Sequence, residues 1–155
     1  MHHIRKSAIL PYSAEQIFAL IEDIGSYPKF LPWCGSARIL QDRGEEVVAE
    51  IAIAHAAFGK SFSTRNRYQR PKLAEVRLVS GPFRFLEGLW QLEPVENGGT
   101  RVTLDMRFEF ASRLVGALLE PIFKQAAETM VQRFAQRARA VYGDPSGKLL
   151  QTPKI

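Results

Sequence analysis

Between residues 37 and 110, hydrophobic and polar positions alternate along the chain. The clearest run is Val102, Leu104, Met106, Phe108 and Phe110, set against Arg101, Thr103, Asp105, Arg107 and Glu109. A period of two with one polar face predicts antiparallel strands covered on one side. The same parity puts Phe62, Thr64, Asn66 and Tyr68 on one inner face and Val76 and Leu78 on the next. Arg84, Leu86, Gly88, Trp90 and Leu92 form a third. Turn sequences separate the strands: Asp42-Arg43-Gly44, Phe58-Gly59-Lys60, Arg70-Pro71-Lys72, Gly81-Pro82 and Glu96-Asn97-Gly98-Gly99.

Upstream, residues 3–10 read as a first strand stopped by Pro11. Ser13 and Gln16 have the spacing of a capping box, which opens a short helix carrying Ile17, Phe18, Leu20 and Ile21. Gly25 is its expected end. The stretch from Ser26 to Cys34 reads as one helical turn followed by an extended piece, because prolines interrupt it. After Phe110 the apolar period lengthens. Val115, Leu118, Leu119, Ile122, Ala126, Met130, Phe134, Ala138 and Val141 recur at three- and four-residue steps. They predict one helix of roughly 30 residues, about 45 Å long, capped by Ser112 and Gly143. Pro121 inside it predicts a kink.

A sheet with one apolar face needs a cover, and the long helix is the element large enough to be one. The expectation is an α+β helix-grip domain over 1–143. In it a curved antiparallel sheet of about seven strands wraps the C-terminal helix, with two short helices after the first strand. Residues 144–155 are expected to form a flexible tail. Such a sheet curls more than one helix can fill, so a cavity between them is expected. Thr64, Asn66 and Arg84 would be polar groups on its covered side, and such groups need partners. Gly88 between Leu86 and Trp90 leaves a notch in the wall.

Composition narrows the function classes. The chain has 155 residues, 46% hydrophobic and 24% charged, which suits one folded domain. No apolar run approaches the roughly 20 residues of a membrane helix. The N-terminal residues lack the apolar core of a secretory signal. The single cysteine, Cys34, excludes an internal disulfide and a cysteine-cluster metal site, and fits a reducing compartment. The formal charge of +5 allows a polyanionic partner. By parity Lys60, Arg65, Arg67 and Arg77 form the candidate polyanion surface on the outer face. No aromatic residues interleave with these cations, which argues against a stacking platform for single-stranded RNA.

Motifs for catalysis are absent. The histidines are His2, His3 and His55, and neighbouring strand residues point to opposite faces, so no metal site is expected. There is no nucleophile elbow, phosphate-binding loop or dinucleotide fingerprint. The carboxylates Glu75, Glu87, Asp105 and Glu109 fall on the polar strand faces as partners of arginines. An apolar cavity with a few fixed polar groups is instead the usual form of a small-molecule site. The candidate ligand-binding residues are Tyr27, Phe30, Leu31 and Trp33, with Phe62, Thr64, Asn66, Tyr68 and Leu78 from the first half of the sheet. Phe83, Arg84, Leu86, Trp90, Leu104, Met106 and Phe108 come from its second half, and Ile122, Phe123, Ala126 and Met130 from the helix.

The block Tyr27-Pro28-Lys29-Phe30-Leu31-Pro32-Trp33-Cys34, with Gly81-Pro82-Phe83 and Gly88-x-Trp90 downstream, resembles the coenzyme-Q-binding START-like proteins. That branch of the SRPBCC superfamily is shared with the bacterial ribosome association toxin and, more distantly, with polyketide aromatases and cyclases. The resemblance spans residues 3 to 142. It implies a helix-grip fold with an apolar tunnel and no chemistry of its own. It also implies ubiquinone or a similar polyprenyl lipid as bound ligand, no required cofactor, and a role supporting respiration or quinone biosynthesis. The expected location is cytoplasmic, at the periphery of the inner membrane through contact with anionic lipid, without DNA binding. The rival reading is a toxin that binds the large ribosomal subunit and blocks its joining to the small one. An aromatase-like enzyme would need an acid or base in the cavity, for which Arg84 and Tyr68 are the candidates.

Overall fold

The computed structural model describes residues 1–54 and 60–144. Seven antiparallel strands form one sheet in the order β1-β7-β6-β5-β4-β3-β2. They are β1 (His2–Leu10), β2 (Cys34–Asp42), β3 (Glu46–Ile53), β4 (Ser61–Gln69), β5 (Leu73–Ser80), β6 (Phe83–Pro94) and β7 (Thr100–Phe110). Helix α1 (Ala14–Glu22) and a 3-10 helix (Ile24–Lys29) lie between β1 and β2, and helix α2 (Arg113–Tyr142) follows β7. A curved antiparallel sheet with one long C-terminal helix and short helices after the first strand is the expected helix-grip. The predicted turn at residues 58–60 and the predicted tail fall largely outside the described residues.

Local chemistry explains the boundaries. Ser13 Oγ accepts from the Gln16 amide at 3.1 Å and Gln16 Oε1 accepts from the Ser13 amide at 2.9 Å, completing the capping box. Helix α1 stops at Glu22 rather than at Gly25, because the chain tightens into the 3-10 turn that contains Gly25. At the start of α2, Ser112 Oγ accepts from the Val115 amide at 3.2 Å. At its end Gly143 takes φ +77°, a conformation glycine adopts without penalty. Pro121 lies on the exposed side of a helix that continues through it.

The core sits between the concave sheet face and α2. Phe18, Phe108 and Phe134 are among its largest fully buried side chains. Two tyrosines fix α2 over the sheet. Tyr12 Oη donates to the Gly143 carbonyl at 2.8 Å, and Tyr142 Oη donates to the Gln16 carbonyl at 2.9 Å. These bonds join the C-terminal end of α2 to both β1 and α1.

The register also shifts in β2 and between β4 and β5, but the shift that overturns an expected parity is in β6. Between Phe83 and Phe85 the β6–β7 register shifts, so two residues of β6 advance for one of β7. Phe83 stays buried, Arg84 turns outward, and inward parity resumes at Leu86. Arg84 is therefore exposed and pairs with Glu109 at 3.5 Å, not with anything inside the domain. The expectation that it faces the cavity is wrong because a bulge reverses the alternation there.

Candidate functional site

Sheet and helix do not close completely on one another. A cavity of about 100 Å³ remains between them. Its floor is the middle of the sheet: Ala49 and Ile51 of β3, Thr64 and Asn66 of β4, Val76 of β5, Leu86, Gly88 and Trp90 of β6, and Leu104 and Met106 of β7. Its roof is Phe123, Ala126, Ala127, Met130 and Phe134 of α2. Ile24, Tyr27, Leu31 and Trp33 form a side wall. The pairing Val76–Gly88–Met106 crosses three strands, and the missing side chain at Gly88 deepens the floor there.

Aromatic clusters close two ends. At one, Phe62, Phe83 and Phe123 pack with centroid separations of 5.0 to 5.8 Å, and Trp33 joins at 5.8 Å from Phe123. Gly81 makes this possible. It has φ +146°, and a Cβ on it would lie 2.4 Å from Cβ of Phe62. At the other end Phe134 packs edge-on against Phe30 at 4.9 Å, Trp90 at 4.9 Å and Tyr27 at 5.7 Å.

One polar spot interrupts the apolar lining. Thr64 and Asn66 are both buried, and Thr64 Oγ1 donates to Asn66 Oδ1 at 2.9 Å. The Thr64 bond engages the amide oxygen of Asn66, a residue that lines the cavity and whose amide also neighbours the Tyr68 hydroxyl. The other nearby hydroxyls are differently disposed. Tyr27 Oη already donates to the Ile21 carbonyl at 2.5 Å, and burial holds its phenol well above the ordinary value. Tyr68 Oη is buried without a partner at good hydrogen-bond geometry. Burial raises its phenol pKa, partly opposed by the neighbouring Asn66 amide. Burial also pushes the Cys34 thiol up to about 11, so it is a packing group rather than a nucleophile.

Most of the candidate residues from the helix, β4 and β7 do reach the cavity, and several others do not. Tyr68 lies farther along β4, against Phe18 of α1 at 5.7 Å. Phe108 lies beyond the cavity along β7, stacked on His2 at 4.9 Å. Phe83 belongs to the aromatic plug, while Leu78 packs near Gly81 and Phe30 lies outside the wall against Phe134. Ile122 is half-buried and does not line the cavity. Sequence reasoning missed Ile24, Ala49, Ile51, Ala127 and Phe134 as lining residues. The strict alternation Val47, Ala49, Ile51, Ile53 in β3 was the available signal for two of them.

The outer sheet face is basic, and most of its arginines sit beside carboxylates. Arg65 and Arg67 both reach Glu46 at 3.2 Å, and Arg77 lies 3.0 Å from Glu75. Lys60 is exposed at the start of β4. Among the described residues, no group of three or more His, Cys, Asp or Glu side chains is arranged to hold a metal ion, and no helix is long and apolar enough to cross a membrane.

The fold agrees with comparisons to known proteins. The chain is 41% identical over 141 residues to the ribosome association toxin RatA of Pseudomonas aeruginosa, covering 91% of this chain and 98% of that one. It is 26% identical to the mitochondrial coenzyme Q-binding protein coq10 of Schizosaccharomyces pombe, over 87% of this chain and 85% of that one. A START superfamily protein from Mycobacterium smegmatis superposes with a TM-score of 0.75 at 17% identity, covering 91% of this chain and 99% of that one, a likeness of fold. Residues 10–135, from the end of β1 to the last turns of α2, match one family model, and the chain belongs to the polyketide cyclase / dehydrase and lipid transport family.

Proposed function

We propose that this chain is a non-catalytic binding protein for a lipid with a carbonyl-bearing headgroup and an apolar tail, of the polyprenyl quinone class. The observation that carries this reading is the cavity: an apolar lining with one hydrogen-bonding position, Asn66, held in orientation by Thr64. A quinone oxygen accepts hydrogen bonds and cannot donate them, which matches a donor amide. The name of the fission-yeast relative supports the same ligand class.

Size decides how such a ligand sits. The cavity is far below the roughly 300–1,000 Å³ of sites that enclose drug-sized molecules. At about 100 Å³ it encloses only part of such a ligand, and the rest of a long tail has to leave. Each buried CH₂ contributes about 0.8 kcal/mol, so even a short apolar segment gives useful affinity. The exit that costs least is the seam where the 27–33 segment runs beside α2, since only the small Ala126 and the flexible Met130 line the roof between its aromatic contacts.

Native mass spectrometry of freshly purified protein, followed by organic extraction, tests this. A bound quinone at near-stoichiometric level is expected. A bound lipid with no carbonyl ring would overturn the ligand class.

A second reading is ribosome association, favoured by the name and 41% identity of the Pseudomonas relative. Co-sedimentation with large ribosomal subunits across a salt series tests it. A complex that weakens steeply with salt is expected if phosphates are the target.

A further inference from the structure

The positive charge of this chain is not where the strand pattern puts it. On the outer sheet face the arginines have carboxylates beside them: Arg38 with Glu50 at 2.8 Å, Arg77 with Glu75 at 3.0 Å and Arg101 with Glu93 at 3.1 Å. Lys29, Arg133 and Arg137 are among the cations that differ. No carboxylate lies within ion-pair distance of them among the described residues. Lys29 directly precedes Phe30, and Phe30 packs on Phe134 of α2, between Arg133 and Arg137 in sequence. The Arg137 guanidinium lies over the Phe30 ring, 5.4 Å from its centroid, and Arg133 is one turn away from Arg137 on α2. A guanidinium on an aromatic face keeps its N–H donors at the edge, free for phosphate oxygens.

This cationic cluster sits at the same seam that walls the cavity. Phe30 contacts Phe134, and Trp33, three residues on, contacts Phe123. Phe30 and Trp33 are both half-buried, and Pro32 between them is exposed. Aromatic rings beside unpaired cations are the composition of a surface that rests at a bilayer's headgroup level.

We propose that the Lys29–Arg133–Arg137 cluster docks the seam onto an anionic phospholipid bilayer, turning the mouth of the cavity toward the acyl chains. The proposal rests on the lipid-binding reading and adds the surface from which the lipid is taken. The outer sheet face, where most arginines sit beside carboxylates, stays in water.

Vesicle co-sedimentation tests it with phosphatidylethanolamine–phosphatidylglycerol vesicles against phosphatidylcholine vesicles. The expected result is partitioning to the anionic vesicles that falls with salt. Each basic residue at an anionic surface contributes roughly a fivefold factor, so K29Q/R133Q/R137Q should weaken partitioning about 100-fold. R65Q/R67Q/R77Q on the sheet should leave it within about twofold. Equal losses in both triple variants, or no preference for anionic vesicles, would overturn the proposal. So would a wild-type protein that ignores vesicles and uses Lys29, Arg133 and Arg137 to bind ribosomal subunits. Quenching of tryptophan fluorescence by a short-tailed ubiquinone in vesicle-free buffer separates the two readings. Quenching kept while vesicle binding fails refutes the docking surface alone, and vesicle binding kept without quenching refutes the quinone reading alone.

Discussion

Thr64 and Asn66 lie two residues apart on β4, point to the same concave face, and share a buried hydrogen bond of 2.9 Å. Two-residue spacing on a strand places both side chains on one side of the sheet. The hydroxyl fixes the amide oxygen and so decides which end of Asn66 meets a ligand. If that amide reads a carbonyl, Asn66→Leu should lower the affinity for a short-tailed quinone about tenfold, the value of one hydrogen bond left unmade in a dry site. Thr64→Val should lower it less, because it removes the orientation and leaves the donor. Isothermal titration checks both, with circular dichroism melts to show that the fold persists.

Arg84 provides the contrast. It pairs with Glu109 in solvent, and an exposed ion pair of this kind contributes about 0–1 kcal/mol. Arg84→Ala should leave quinone affinity unchanged and the urea midpoint nearly so. A loss of affinity would mean that β6 lacks the bulge between Phe83 and Phe85.

Gly81 holds the aromatic end of the cavity shut. A methyl group there meets Cβ of Phe62 at 2.4 Å, and φ +146° is a backbone conformation that L-residues rarely take. Gly81→Ala should cost about 1–3 kcal/mol by chemical denaturation and push Phe62 toward the cavity. Reduced ligand affinity accompanies that shift.

Phe134 joins Phe30, Tyr27 and Trp90 at the opposite end and is almost fully buried. Phe134→Ala should destabilise by about 3–5 kcal/mol. It also enlarges the cavity beside Trp90. A change of Trp90 emission in a Trp33→Phe background reports the lost ring contact.

Cys34 gives a pH signature. Burial raises its folded thiol to about 11 from an ordinary value of 9.0. The folded state therefore holds the proton more tightly than the unfolded chain. This contribution to stability is fully present below pH 9 and is lost as pH rises toward 11. Cys34→Ser should flatten that loss. Native protein at pH 8 should resist alkylation, while urea-unfolded protein should react.

The sequence made the sheet and helix legible because each kept one period throughout. β7 alternates from Val102 to Phe110, and α2 repeats at helical spacing from Leu119 to Ala138. The site was less legible for two physical reasons. Parity gives the face of a strand but not the position along it, so Tyr68 and Phe108 share a face with Asn66 and Met106 yet pack beyond the cavity. A bulge reverses parity without a compositional mark, which is how Arg84 came to be expected inside. The distribution of charge was hidden for a third reason: a basic residue reads the same whether or not a carboxylate on the next strand offsets it, as Glu50 does for Arg38.

The most direct test of the central claim uses the chain's own reporters. Its two tryptophans, Trp33 and Trp90, both line the cavity. Titration with a short-tailed ubiquinone should quench both to saturation at one equivalent, and Asn66→Leu should shift the curve about tenfold to higher quinone. Linear, unsaturable quenching equal to that of free tryptophan would show that no quinone enters, and would contradict the account.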